Sequence, residues 1–269
     1  MHEIVGIVCI ILYRKMSKKV IMYMIVAVLM TVCYSCKENE YKSVQEEEQT
    51  AGYRDCVPEV ADKYAYLVAP DSEEWKNLNS ETETIRACQL PEDALKSIST
   101  PGLIRSFWDM PTGWRNFILS SHSSPIVRSN CVYQYSNIIE ELNERKDAGV
   151  SLFYFYCEIG FDCWSLMTVD EQINFCLKFA VFNVLFTQQK ILEHLDPKVV
   201  VAAIYEKYEQ MQNLKNEVFL DYSSVDVMAH VMYMSNYLPV VEYFDSKENL
   251  LVTADRVDYV ISFVKNFIR

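Results

Sequence analysis

The chain has 269 residues, 51% hydrophobic and 13% aromatic, with 6 Gly and 8 Pro. That excludes a disordered chain, a collagen-like repeat and a small disulfide knot, and it allows one domain or two. The formal net charge is −12; residues 1–35 hold four bases (Arg14, Lys15, Lys18, Lys19) against the single acid Glu3, so the remainder carries −15. Phosphate neutralisation supplies most nucleic-acid affinity, and this acidic chain with no basic cluster is not read as a nucleic-acid binder.

In chain order, the first pattern is an address. Lys18-Lys19 precede an apolar run from Val20 to Cys33, which closes in Cys33-Tyr34-Ser35-Cys36. A basic start, an apolar stretch and a small residue before a cysteine form a secretory signal. Ser35 is small enough for the peptidase to cut before Cys36, whereas Val32 does not suit a cut before Cys33. The pattern resembles a bacterial lipoprotein signal, which implies residues 1–35 as signal peptide and Cys36 as the lipid attachment site, carrying palmitate-type acyl chains. An uncleaved anchor is the alternative, but a spanning helix needs about 20 apolar residues, and the run from Val20 to Ser35 is shorter. A chain starting at Met16 has a complete signal, so residues 1–15 point to a misplaced start codon.

Residues 36–57 read as a lipidated, solvated tether. They are polar, with Glu46-Glu47-Glu48 in a row, and nothing in them builds a core. Acids directly after Cys36 resemble the export signal that carries Bacteroidetes lipoproteins to the outer face of the outer membrane. The resemblance implies a surface-exposed outer-membrane lipoprotein; a periplasm-facing one is the alternative.

Residues 58–269 read as a single all-α domain, a helical bundle or a short superhelix of α-hairpins with HEAT-like stacking. Glycine is scarce and no Asn-Gly or Asp-Gly turn occurs, which argues against hairpins of strands. Helix starts recur instead. Pro91 and Pro101 suit first-turn positions, the latter after Ser99-Thr100. Glu141 and Arg145 pair across one helical turn. The stretch from Val150 to Ile159 fits helix or strand and is assigned to helix. Thr168 with Glu171 makes a capping box. From Val169 to Glu193, Phe175, Phe179, Phe182 and Phe186 form one stripe, and Ile173, Leu177, Ala180, Val184 and Ile191 a nearly opposite one, so this helix is central and covered on both sides. Asp196-Pro197 opens a helix with the one-sided stripe Val201, Ile204, Tyr205, Tyr208 and Met211. Ser223 or Ser224 opens another with the stripe Val225, Met228, Ala229 and Met232. Thr253 or Asp255 opens the last, with Val257, Val260, Ile261, Val264 and Ile268.

The run from Cys88 to Thr100, then Gly102-Leu103, Pro111, Asn137, Glu141-Leu142, Arg145 and Asp147-Ala148, with Phe182 to Leu192 further on, resembles a family of uncharacterised, secreted α-helical Bacteroidetes proteins. The likeness covers roughly residues 85–240. It implies a mostly helical secreted body and no particular activity. In that family a Cys and a Tyr precede the proline matched by Pro111; here Trp108-Asp109-Met110 stand before it.

Chemistry is sparse. Six cysteines follow Cys36, and an exported protein keeps disulfides. Cys157 and Cys163, flanking Gly160 in a turn, are the best local pair, and Cys176 reads as a small buried hydrophobe. Beyond Cys36 no C-x₂-C occurs, and the chain has no H-E-x-x-H, G-x-S-x-G or glycine-rich phosphate loop, so no metal and no cofactor is expected. His194 with Asp196 suits a solvent-facing helix end better than a metal, and His122 among four serines suits a loop better than a triad. Trp108 and Trp114 bracket the turn Met110–Gly113 and are a candidate binding edge, unless they plug the core. The expectation is a lipid-anchored envelope protein, held to the membrane by its acyl chains, that works as a binding or interaction module for an envelope or extracellular protein or a glycan. The leaning is away from an enzyme. The alternatives are a hydrolase of glycan or peptide whose site assembles only in three dimensions, and a structural envelope protein.

Overall fold

Three of the start signals written in the sequence are places where helices begin. The Thr168 hydroxyl accepts from the Glu171 N–H, while the Glu171 carboxylate accepts from the Thr168 N–H at 2.7 Å. Ser99 accepts from the Gly102 N–H at 3.1 Å, with Pro101 in the first turn behind it. The Asp196 carboxylate accepts from the Lys198 N–H at 2.9 Å, with Pro197 first in the helix. Each side chain satisfies a donor that the helix itself cannot.

A computed structural model describes residues 56–68, 72–111, 136–214, 222–244 and 250–269, all within one compact unit spanning 49–269. In chain order the helices are α1 (Glu73–Lys76), α2 (Glu81–Cys88), α3 (Glu92–Ser97), α4 (Thr100–Trp108), α5 (Ile138–Glu144), α6 (Ala148–Glu158), α7 (Val169–Asn183), α8 (Gln189–Leu192), α9 (Pro197–Asn213), α10 (Tyr222–Met234), α11 (Leu238–Tyr243) and α12 (Val257–Phe267). Short 3-10 turns, Asp162–Leu166 and Val184–Thr187, flank α7. No strand occurs among the described residues, so the protein is all-α. The ambiguous segment from Val150 is helix, as read. The last helix starts later than expected, at Val257, because the Arg256 N–H closes a turn onto the Thr253 carbonyl before the helix begins.

Two helices act as hubs. In the N-terminal half α4 packs against α5, α6 and α7, and all of its residues except Pro101 are buried. In the C-terminal half α10 packs against α7, α9, α11, α12 and the second 3-10 turn. The helix α7 touches both hubs, so the two-sided reading holds, but the helix ends at Asn183 instead of running on to Glu193: the 3-10 turn Val184–Thr187 separates it from α8. Its Phe stripe meets Trp108, Phe155, Tyr156 and Phe161 at ring separations of 5.4–5.8 Å, and its second side lies toward α10. A linear stack touches only its neighbours; hubs reached by distant helices make this a bundle.

One stripe needs correcting. Val225, Met228, Ala229 and Met232 are buried, but so are Val227, Val231, Asp226 and His230, and α10 is enclosed on every side rather than one. The polar residues that hid this find partners inside: Asn183 donates to the Ser224 hydroxyl at 2.9 Å, and Asp226 accepts from the Val252 N–H at 2.6 Å. The one-sided stripes on α9 and α12 are as read.

Candidate functional site

Before α1 the chain lies extended along α4 as a strap, residues 56–66. Its anchor is a disulfide between Cys56 and Cys163, whose Cα atoms are 5.7 Å apart. This corrects the expected Cys157–Cys163 pair. Spacing favours a local partner, but the strap brings Cys56 from 107 residues away onto the turn after α6. There the Cys56 carbonyl accepts from the Gly160 N–H at 2.9 Å, and the Cys163 N–H points at Cys56 Sγ at 3.2 Å. Cys157 is an exposed thiol on the last turn of α6, and Cys88 and Cys176 are buried thiols. Cys56 and Val57, read as the end of the tether, are themselves buried in the body. Cys36 and Trp114 lie outside the described residues, as does His122.

Polar contacts hold the rest of the strap. Asp62 accepts from the Ser99 N–H at 2.7 Å and from the Ser99 hydroxyl at 2.9 Å. The Ser99 backbone hydrogen bond is the main reason its carboxyl sits below the usual aspartate range. The carboxylate rests against Gly102, where a Cβ would come within 2.6 Å of Asp62 Oδ1. Arg105, 3% exposed, donates to the Pro58 carbonyl at 2.8 Å and to Asp109 at 2.9 Å. Ser106 accepts from the Tyr64 N–H at 2.7 Å, and its carbonyl accepts from the Tyr66 hydroxyl. Lys63 lies 3.4 Å from Asp109.

The residues that carried the family resemblance meet in a second polar knot. The Asn137 side chain exchanges two hydrogen bonds with the Leu90 backbone, at 3.0 and 2.8 Å, and its N–H donates to Gln89. Arg145 reaches back to the end of α3, donating to the Leu95 carbonyl at 2.7 Å and the Ile98 carbonyl at 2.8 Å. Its Nε holds Glu141 at 3.0 Å, and Glu141 also pairs with Lys96. Burial would raise the Glu141 pKa, but the hydrogen bonds from Lys96 and Arg145 outweigh it and the carboxyl is held down. Thr100 donates to Asp147 at 2.9 Å. Sequence reasoning saw only the Glu141/Arg145 pair. The larger role of Arg145, a guanidinium capping another helix, depends on carbonyls 47 and 50 residues away.

Trp108 is not a binding edge. It is 2% exposed, its ring packed 5.5 Å from Phe175 and 5.4 Å from Phe182, so it plugs the core between α4 and α7. The aromatic surface lies instead on α11 and α12. Tyr259, 61% exposed, stacks on Tyr243 at 6.1 Å. Tyr243 also meets Phe263 edge-on at 5.5 Å, and the Arg256 guanidinium lies 5.7 Å above the Tyr243 ring and 5.8 Å from Phe244. Leu238 on α11 is 65% exposed. The signal for this face was present as Tyr259 and Phe263, four residues apart, which run beside the apolar stripe rather than along it.

On α10, Ser223, Asp226 and His230 share one stripe but are buried, with Asp226 occupied by the Val252 backbone. His194 is exposed just beyond α8. Among the described residues no group of three His, Cys, Asp or Glu is placed to hold a metal, and no helix is long and apolar enough to cross a membrane. Comparisons with protein-family models, with curated proteins and with solved structures find no match.

Proposed function

We propose that the protein is an outer-membrane lipoprotein, acylated at Cys36 and surface-exposed, whose helical body binds a protein of the envelope or its surroundings. The observation that carries the binding role is the aromatic face of α11 and α12. An exposed Tyr259 stacked on Tyr243, a guanidinium lying over the rings and an exposed Leu238 together have the composition of a protein-binding hot spot. The Cys56–Cys163 disulfide supports the address, because such bonds persist in oxidising compartments. The resemblance to secreted Bacteroidetes proteins points the same way.

Two measurements test the reading. A photo-crosslinking residue in place of Tyr259, in cells making the full chain, is expected to give discrete protein adducts that Arg256→Ala diminishes. Adducts to glycan alone, or none, would reject a protein partner. Metabolic fatty-acid labelling is expected to mark the wild type and not Cys36→Ala, with surface protease removing the wild type from intact cells. An unlabelled wild-type chain would remove the address.

A further inference from the structure

The outward side of α6 is apolar and exposed. Val150 is 40% exposed and Tyr154, one turn on, is 65% exposed, while the inward side of the helix packs against α4 and α8. The Phe153 ring meets the Tyr154 ring edge-on at 6.3 Å and widens the strip. Neighbouring exposed apolar side chains with a tyrosine among them have the composition of a contact surface. A charge stands at each end. Lys146, in the turn before α6, precedes Val150 by four residues, and Glu158, the last residue of α6, follows Tyr154 by four; both are exposed. The row along the helix is therefore Lys146, Val150, Tyr154, Glu158: a basic end, two apolar positions and an acidic end. Reversed, this row complements itself. A two-fold axis level with residue 152 sets Lys146 against Glu158 and Val150 against Tyr154, at both ends at once. The nearby charges are already engaged: Asp147 accepts from Thr100 at 2.9 Å, Arg145 holds Glu141 at 3.0 Å, and the Lys207 ammonium donates to the Cys157 and Ile159 carbonyls.

We infer that α6 is a dimerisation helix: two copies of the chain pack α6 against α6, antiparallel and in register about residue 152. Rows at four-residue spacing interlock at a crossing angle of about −50° with the axes about 8–10 Å apart, a gap that lysine and glutamate side chains span at the ends. The occupant is a second copy because one row supplies both halves of the match. An unrelated partner would need the same order of charge and apolar groups in reverse. The register also separates the exposed Cys157 thiols. Reversed, Cys157 lies opposite position 147, so the two copies hold these cysteines about 15 Å apart along the helices, beyond the reach of a disulfide.

The test is made in cells producing two differently tagged full chains. A photo-crosslinking residue in place of Tyr154 is expected to join the two tags, and peptide mass spectrometry should map the adduct to α6 of the other copy, near Val150. Lys146→Glu alone, or Glu158→Lys alone, in both tagged chains sets like charges opposite each other at both ends of the pair. Each is expected to cut the adduct at least about threefold. Lys146→Glu in one tagged chain with Glu158→Lys in the other makes both ends complementary again, and the mixed adduct should return to the wild-type level. A loss that came from damaged folding would not recover in the mixture. No adduct between copies, an adduct mapped outside α6, charge variants that crosslink like the wild type, or a mixed pair no better than the single variants would each overturn the inference. So would dimers joined Cys157 to Cys157 as the main oxidised species, which demand another register. The Tyr259 crosslink reports on α11 and α12 and is decided separately.

Discussion

Arg145 sits just past the end of α5 and ties three elements together. It touches the last carbonyls of α3, the carboxylate of Glu141 and, at 3.4 Å, the hydroxyl of Thr100. Its side chain is 16% exposed, so removing it strands acceptors that water reaches poorly. Arg145→Ala is expected to lower stability by about 2–3 kcal/mol, the scale of hydrogen bonds to charged groups. In urea the midpoint should fall with the slope unchanged. Arg145→Lys should recover only part, because an ammonium cannot span two carbonyls and a carboxylate in one plane. Asp62 gives a pH signature. Its carboxyl is depressed in the fold, chiefly by the Ser99 backbone hydrogen bond, so its contribution is complete above the ordinary aspartate range and is lost as pH falls through the lower folded value. Amide protection across 57–66 is therefore expected to drop on acidification below about pH 4. That drop should be blunted in Asp62→Asn.

Single elements show which signals a sequence exposes. The capping box at Thr168, the Asp196-Pro197 start and the apolar stripes of α9 and α12 were legible because each rests on residues within one or two turns of one another. The two-sided burial of α7 was legible for the same reason. The enclosure of α10 was not: Ser223, Ser224, Asp226 and His230 look like a solvated face until Asn183 and the Val252 backbone are brought against them. The disulfide and the Arg145 cap escaped for a related cause, since their partners are backbone groups or cysteines many residues distant. The approach of α6 to α8 adds another such case. A Cβ on Gly149 would collide with the Ile191 carbonyl oxygen, a backbone atom that cannot swing aside. Gly149→Ala is expected to push the two helices apart and cost about 1–3 kcal/mol, the range for overpacking. Thermal unfolding of that variant, compared with Gly160→Ala, whose Cβ would meet nothing, isolates the collision from glycine's backbone freedom.

Across the molecule, α7 joins the two hubs, with the aromatic cluster around Phe182 on its α4 side. Phe182 is fully buried and meets Phe107, Trp108 and Phe155. Phe182→Ala is expected to cost about 3–5 kcal/mol, and to lower the stability of both halves together if they unfold as one cooperative body. Calorimetry would show a single shifted transition; two separate transitions would mean that the hubs melt independently. The arrangement of α10 reaches further, into how the chain is made. Its covering includes α12, which follows it in the chain beyond α11. A polypeptide emerging N-terminus first, from a ribosome or through a translocation pore, thus holds this enclosed helix partly uncovered until α12 arrives. Maturation of this fold must wait for α12 to be delivered, and a nascent chain stopped before Val257 would be the form most in need of a chaperone.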